Sequence, residues 1–266
     1  PGTYDVQVTS ITDVHGCVAS DVTPYNLSVT ILPEPFIVFA FNGVQVAPGF
    51  EETYCEDTPV VVTLDEIWAG CAPFEVCYSI NGEPDVCVSV ENPGDELFNQ
   101  IMAPGVYTVE VTSLTDACGC VASQATLDLY TATITIQALP TIEPMADVTS
   151  CVTEVNPYCI DATAANYSSL LWTTNGSGTF DDPTIEDPCY TASADDIGTG
   201  SVELCLTAEP IDPCTVSAEE CFTLTLQEGP TAFAGDDMTI CEGECYTLAD
   251  AVATNYAALQ WYTIGG

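Results

Sequence analysis

The 266 residues include 40 Asp and Glu, one His and no Lys or Arg, a formal charge of −40. Nothing in the chain can neutralise phosphates, which excludes nucleic-acid binding, and direct attraction to an anionic membrane is excluded for the same reason. Ion pairs with Lys or Arg and Lys-based isopeptide crosslinks are also ruled out, whereas a hydrophobic content of 47% is ample for packed cores and argues against disorder.

In chain order, the first recognisable element is the opening segment Pro1–Ser10, which recurs later in the chain. The β-branched run Val60-Val61-Val62-Thr63-Leu64 predicts a buried strand. Cys77–Ile80 and Val86–Val90 flank Asn81-Gly82, a hairpin signal. Alternation marks Tyr107–Thr112 and Phe222–Leu226 as strands, and Val202–Leu206 is read as a late strand. Helical periodicity is absent. Many short strands with regular turn signals predict an all-β chain of antiparallel sandwiches.

The chain repeats itself. Residues 1–20 match residues 104–123 at fourteen of twenty positions, from Pro1-Gly2 against Pro104-Gly105 to Gly16-Cys17-Val18-Ala19-Ser20 against Gly119-Cys120-Val121-Ala122-Ser123. The offset of 103 is the size of an Ig-like domain. A second repeat type pairs Asp147–Cys151 with Asp237–Cys241 and Asn166–Trp172 with Asn255–Trp261. The expected layout is the C-terminal part of one repeat (1–32), a complete repeat (33–138), a complete repeat of the second type (139–228) and the N-terminal part of another (229–266). On this reading the sequence is a window on a longer polymer. The joints Leu32-Pro33-Glu34-Pro35, Leu139–Pro144 and Glu228-Gly229-Pro230 are short and contain Pro, which favours stiff connections.

Fifteen Cys without a C-x-x-C pair, beside a single His, predict disulfides in an oxidising compartment rather than zinc sites. The candidates are Cys55, Cys71, Cys77, Cys87, Cys118 and Cys120 in the first complete repeat, and Cys151, Cys159, Cys189, Cys205, Cys214 and Cys221 in the second. Even counts favour bridges within a repeat, although six Cys allow 15 connectivities. Cys77 and Cys87 flank the Asn81-Gly82 turn and are expected to pair across it.

Gly70-Cys71-Ala72-Pro73-Phe74, Tyr78-Ser79-Ile80-Asn81-Gly82 and Ala103-Pro104-Gly105-Val106-Tyr107 resemble the PKD-like and Ig-like repeats of large Bacteroidota surface proteins. Ala234-Gly235-Asp236-Asp237 with Ile240–Gly243, and Leu171–Thr174 with Gly178-Thr179-Phe180, resemble a second repeat type from the same proteins. The resemblance implies type 9 secretion and a role in adhesion or gliding motility at the cell surface. Cys159, Trp172 and Cys205 resemble the Cys…Trp…Cys pin of Ig sandwiches, which implies a Cys159–Cys205 bridge.

Asp236 and Asp237, and Asp147 with Glu143, sit near joints where a bound Ca²⁺ would stiffen the connection; the competing reading is a solvated acidic surface. His15 is replaced by Cys118 in the next repeat, which argues against a catalytic base, and Gly176-Ser177-Gly178 lacks the base of a nucleophile elbow. No enzymatic activity is expected. The expected function is a structural stalk or filament segment of a giant secreted or surface-anchored adhesin, its partners being other repeats of the same chain, self-association into filaments, or a surface glycan or protein ligand. Alternatives are a glycan- or protein-binding module and a spacer in a secreted hydrolase.

Overall fold

The structure, a computed structural model, describes residues 1–22, 27–152 and 157–264. It separates into two units, Pro1–Ala138 and Leu139–Gly266.

The first unit opens with the hairpin β1 (Gly2–Val6) and β2 (Leu27–Ile31). Then follow β3 (Phe36–Phe41), β4 (Val44–Gln45), β5 (Phe50–Cys55), β6 (Val60–Ala69), β7 (Phe74–Ile80), β8 (Val86–Val90), β9 (Glu96–Gln100), β10 (Gly105–Asp116), a short helix α1 (Gln124–Leu127) and β11 (Thr131–Gln137). They form two sheets, ordered β4-β3-β6-β9 and β5-β11-β10-β7-β8. Alternation decides which side chains face inward. Val60, Val62 and Leu64 of β6, Phe74, Val76 and Tyr78 of β7, and Ala132, Ile134 and Ile136 of β11 are buried in one core.

Turns in this unit follow from asparagine and glycine. Asn81 and Gly82 both have positive φ (53° and 73°), and the Glu83 amide closes the turn on the Ile80 carbonyl at 3.0 Å. Asn81 also bonds β10 twice, its amide donating to the Thr108 carbonyl and its Oδ1 accepting from the Thr108 amide, both at 2.8 Å. Asn42 does the same to Val61. Tyr107 Oη donates to the Ala103 carbonyl at 2.8 Å, the geometry of a tyrosine corner.

The second unit contains β12 (Thr141–Ile142), β13 (Val148–Val152), β14 (Tyr158–Cys159), β15 (Ala164–Ala165), β16 (Tyr167–Thr174), β17 (Thr179–Phe180), β18 (Cys189–Thr191), α2 (Ala194–Thr199), β19 (Ser201–Pro210) and β20 (Ala218–Glu228). Its main sheet is ordered β13-β20-β19-β16 and faces the three-stranded β14-β18-β17, while β12 pairs with β15. Trp172 is 2% exposed and meets Phe222 edge-on at 6.3 Å in a core with Leu204, Leu206 and Leu224. A final pair, β21 (Thr231–Phe233) and β22 (Val252–Thr254), belongs to the same unit.

The chain is all-β and largely antiparallel, with one departure repeated in both units. β5 runs parallel to β11, and β13 runs parallel to β20. In each unit the chain first pairs within one sheet and then crosses to the free edge beside the last long strand, which runs the same way. Period-two alternation fixes faces and carries no information on direction, so the pattern could not show this.

Candidate functional sites: disulfides, a carboxylate knot and a cleft

Four disulfides lie within the units: Cys71–Cys118, Cys77–Cys87, Cys159–Cys189 and Cys205–Cys221. Cys55 and Cys214 are disulfide-bonded as well. Cys77 and Cys87 stand directly opposite in the β7·β8 register, with Cα atoms 4.0 Å apart. Cys71–Cys118 ties the approach to β7 to the turn after β10. Closing loops of 16 to 47 residues stabilises a fold by about 3–4 kcal/mol each.

The Cys159–Cys205 bridge does not form. Val202, Leu204, Leu206 and Ala208 fill the core face of β19, which turns Cys205 to the opposite face, where Cys221 of β20 is its register partner. Cys159 instead stands opposite Cys189 in the other sheet. Trp172 packs on Phe180 and Phe222 in the core between the two sheets.

Cys120 and Cys151, counted among the disulfide candidates, carry free thiols, as do Cys17, Cys241 and Cys245. Gly119 turns the chain at φ 83°, and it is Cys118 that faces Cys71, with Cα atoms 5.7 Å apart. Cys151 is exposed on β13 opposite Gln227, where no thiol awaits it.

The calcium candidates are not gathered into a cage. The Asp147 carboxylate accepts from the Thr223 amide at 2.7 Å, Asp236 and Asp237 are exposed, and Glu143 lines a cleft instead. Among the described residues, three potential ligand atoms lie within 4.8 Å of one another at Glu203, Cys205 and Cys221. The two sulfurs there are bonded to each other and offer no thiolate.

One carboxylate is buried in a dense set of hydrogen bonds: Asp196, 4% exposed at the start of α2. It accepts from the Ser177 amide (2.8 Å), the Ser193 amide (2.9 Å) and Tyr190 Oη (2.9 Å), while Ser193 Oγ accepts from the Asp196 amide (3.1 Å) to complete a capping box. Burial pushes the carboxyl pKa up, but the amide and hydroxyl donors outweigh it and hold the group at about 2. Gly176 and Gly178 make room: a Cβ on Gly178 would stand 2.4 Å from the Thr191 carbonyl oxygen. The Gly176-Ser177-Gly178 turn is thus a seat for Asp196, and Ser177 Oγ lies 2.7 Å from Ser193 Oγ. Its signal was present in the Ser193-x-x-Asp196 spelling.

The cleft, about 290 Å³, is lined by the Glu143–Ala146 segment, Val148, the Tyr158–Thr163 segment and Phe222. Its carboxylates are Glu143 and Asp161, both exposed. No sequence pattern announces it, because its walls come from separate strands and loops.

No family model and no curated protein matches the chain. Among solved structures, the human mucin-like protocadherin EC1-2 is similar at a TM-score of 0.38 and 12% identity, covering 72% of this chain and 98% of that one. Titin domains I67–I69 give 0.37 and 13%, over 74% and 68%. A Ca²⁺-stabilized ice-binding adhesin of an Antarctic bacterium gives 0.34 and 14%, over 86% and 57%. Likeness this distant says nothing of function.

Proposed function

We propose that the chain is a segment of a disulfide-braced, polyanionic stalk of tandem Ig-like sandwiches, exported to the cell surface as part of a long adhesin. The reading divides it at 1–32, 33–138, 139–228 and 229–266, and includes type 9 export, a role in surface adhesion or gliding and association with further repeats.

The observation that supports it most is a repeat of geometry as well as of sequence. In the first hairpin, the Ala19 amide bonds the Ile11 carbonyl, the Asp13 amide bonds the Cys17 carbonyl, and Asp13 Oδ1 accepts from the Cys17 amide. In the second, Ala122 bonds Leu114, Asp116 bonds Cys120, and Asp116 Oδ1 accepts from the Cys120 amide, each within 0.1 Å of its counterpart. A module used twice in one chain fits a spacer. Calcium at the joints receives less support, since Asp147 is already engaged by Thr223.

An antibody against residues 33–228 tests the location. Labelling of intact cells or of the medium is expected; signal only after permeabilisation refutes the reading.

A further inference from the structure

The cleft of the second unit combines two features seldom left side by side. Its lining is mixed: Met145 and Tyr158 are half-buried against the core, with Ile160 and Phe222 almost fully covered behind them at 5% and 4% exposed. Its two acids, Glu143 and Asp161, have no cationic partner, because the chain has no Lys or Arg. Met145 and Tyr158 offer apolar surface to an alkyl stem, and the carboxylates favour an ammonium or guanidinium at the stem's end. At about 290 Å³ the space is at the small end of ligand pockets and suits one side chain rather than a large ligand.

We propose that this cleft is a docking site for a lysine or arginine side chain presented by a partner protein. A second copy of these 266 residues cannot supply the residue, because they contain no Lys or Arg. The surrounding charge of −40 works in the same direction, steering basic partners in and repelling acidic ones. The site stands whether or not the chain is a stalk.

Methionine-methyl NMR of the full chain provides the test, with only Met102, Met145 and Met238 to assign. The probes are a short capped glycine peptide with one central lysine, its arginine version, and a norleucine version of equal length without the charge. In roughly 0.15 M salt, which screens diffuse attraction, the lysine and arginine peptides shift the Met145 methyl saturably and leave Met238 in place. Combining Glu143→Gln with Asp161→Asn weakens this roughly tenfold or more, while Glu219→Gln on exposed β20 does not. Unchanged Trp172 emission shows that each variant is folded. The proposal is overturned if Met145 stays still, if Met145 and Met238 drift together without saturating, or if norleucine serves as well as lysine. It is equally overturned if Ca²⁺ alone shifts Met145, which makes the site one for a metal ion.

Discussion

Replacing Asp196 with Ala removes the acceptor of three hydrogen bonds at once, from the Ser177 and Ser193 amides and Tyr190 Oη. A bond to a buried charge contributes about 1.5–3 kcal/mol, and with partial rehydration of Ser193 the total cost at neutral pH is about 3–4 kcal/mol. Part of that depends on ionisation. The carboxyl moves from 3.8 to about 2 on folding, so the ionised form is worth about 2 kcal/mol to the native state. Because the folded value is the lower one, this contribution is complete above the unfolded value and is lost as pH falls through the folded value. Urea unfolding of wild type and Asp196→Ala, followed by emission of buried Trp172, measures the difference directly; Trp68 and Trp261 are already exposed and change little. Taking the difference between the two proteins cancels the loss of repulsion among the other acids. It is expected to shrink by about 2 kcal/mol between pH 6 and pH 2. An equal difference at both values, or one below about 1 kcal/mol at pH 6, refutes the role assigned to this carboxylate.

Gly178→Ala places a methyl against the Thr191 carbonyl and is expected to cost more than about 2 kcal/mol, whereas Gly198→Ala in α2, with nothing within 4 Å, is expected to be neutral or stabilising; the same unfolding assay compares them. Tyr54 Oη is buried without a hydrogen-bond partner, and burial, aided by Glu52, raises its pKa to about 12. Tyr54→Phe is therefore expected to leave melting unchanged or to raise it, and ultraviolet titration of the wild type should show a tyrosine ionising near 12, with stability falling as pH rises from the unfolded value of 10 through it because the buried phenolate is disfavoured. Alkylation of the native, unreduced chain followed by mass mapping should modify Cys17, Cys151, Cys241 and Cys245 quickly and half-buried Cys120 slowly, leaving the bonded cysteines untouched.

How much of this was legible varies with the kind of information needed. Strand faces were readable where alternation is strict: Val202-Glu203-Leu204-Cys205-Leu206 already places Cys205 on the face of Glu203, away from the core. The Ig-like analogy overrode that local signal and produced the wrong pairing. Cys77–Cys87 needed only the Asn81-Gly82 turn between them, a local constraint. The parallel contacts β5·β11 and β13·β20 join residues some 80 positions apart, and nothing local encodes them. Asp196 was signalled by the capping box, yet Tyr190 comes from strand β18 and the two glycines that complete its seat come from a separate turn. The cleft is the least legible, since Glu143, Tyr158, Asp161 and Phe222 meet only once the sheets have packed.

The central claim is that these sandwiches carry load along a chain braced by disulfides, and pulling the molecule from its two ends tests it most directly. Without reductant, sandwich unfolding should appear as separate force peaks. With reductant, the final extension should grow by at least ~300 Å, as the spans of 47, 30 and 16 residues closed by Cys71–Cys118, Cys159–Cys189 and Cys205–Cys221 are released. The same final extension in both conditions, or a featureless stretch without peaks, would contradict it.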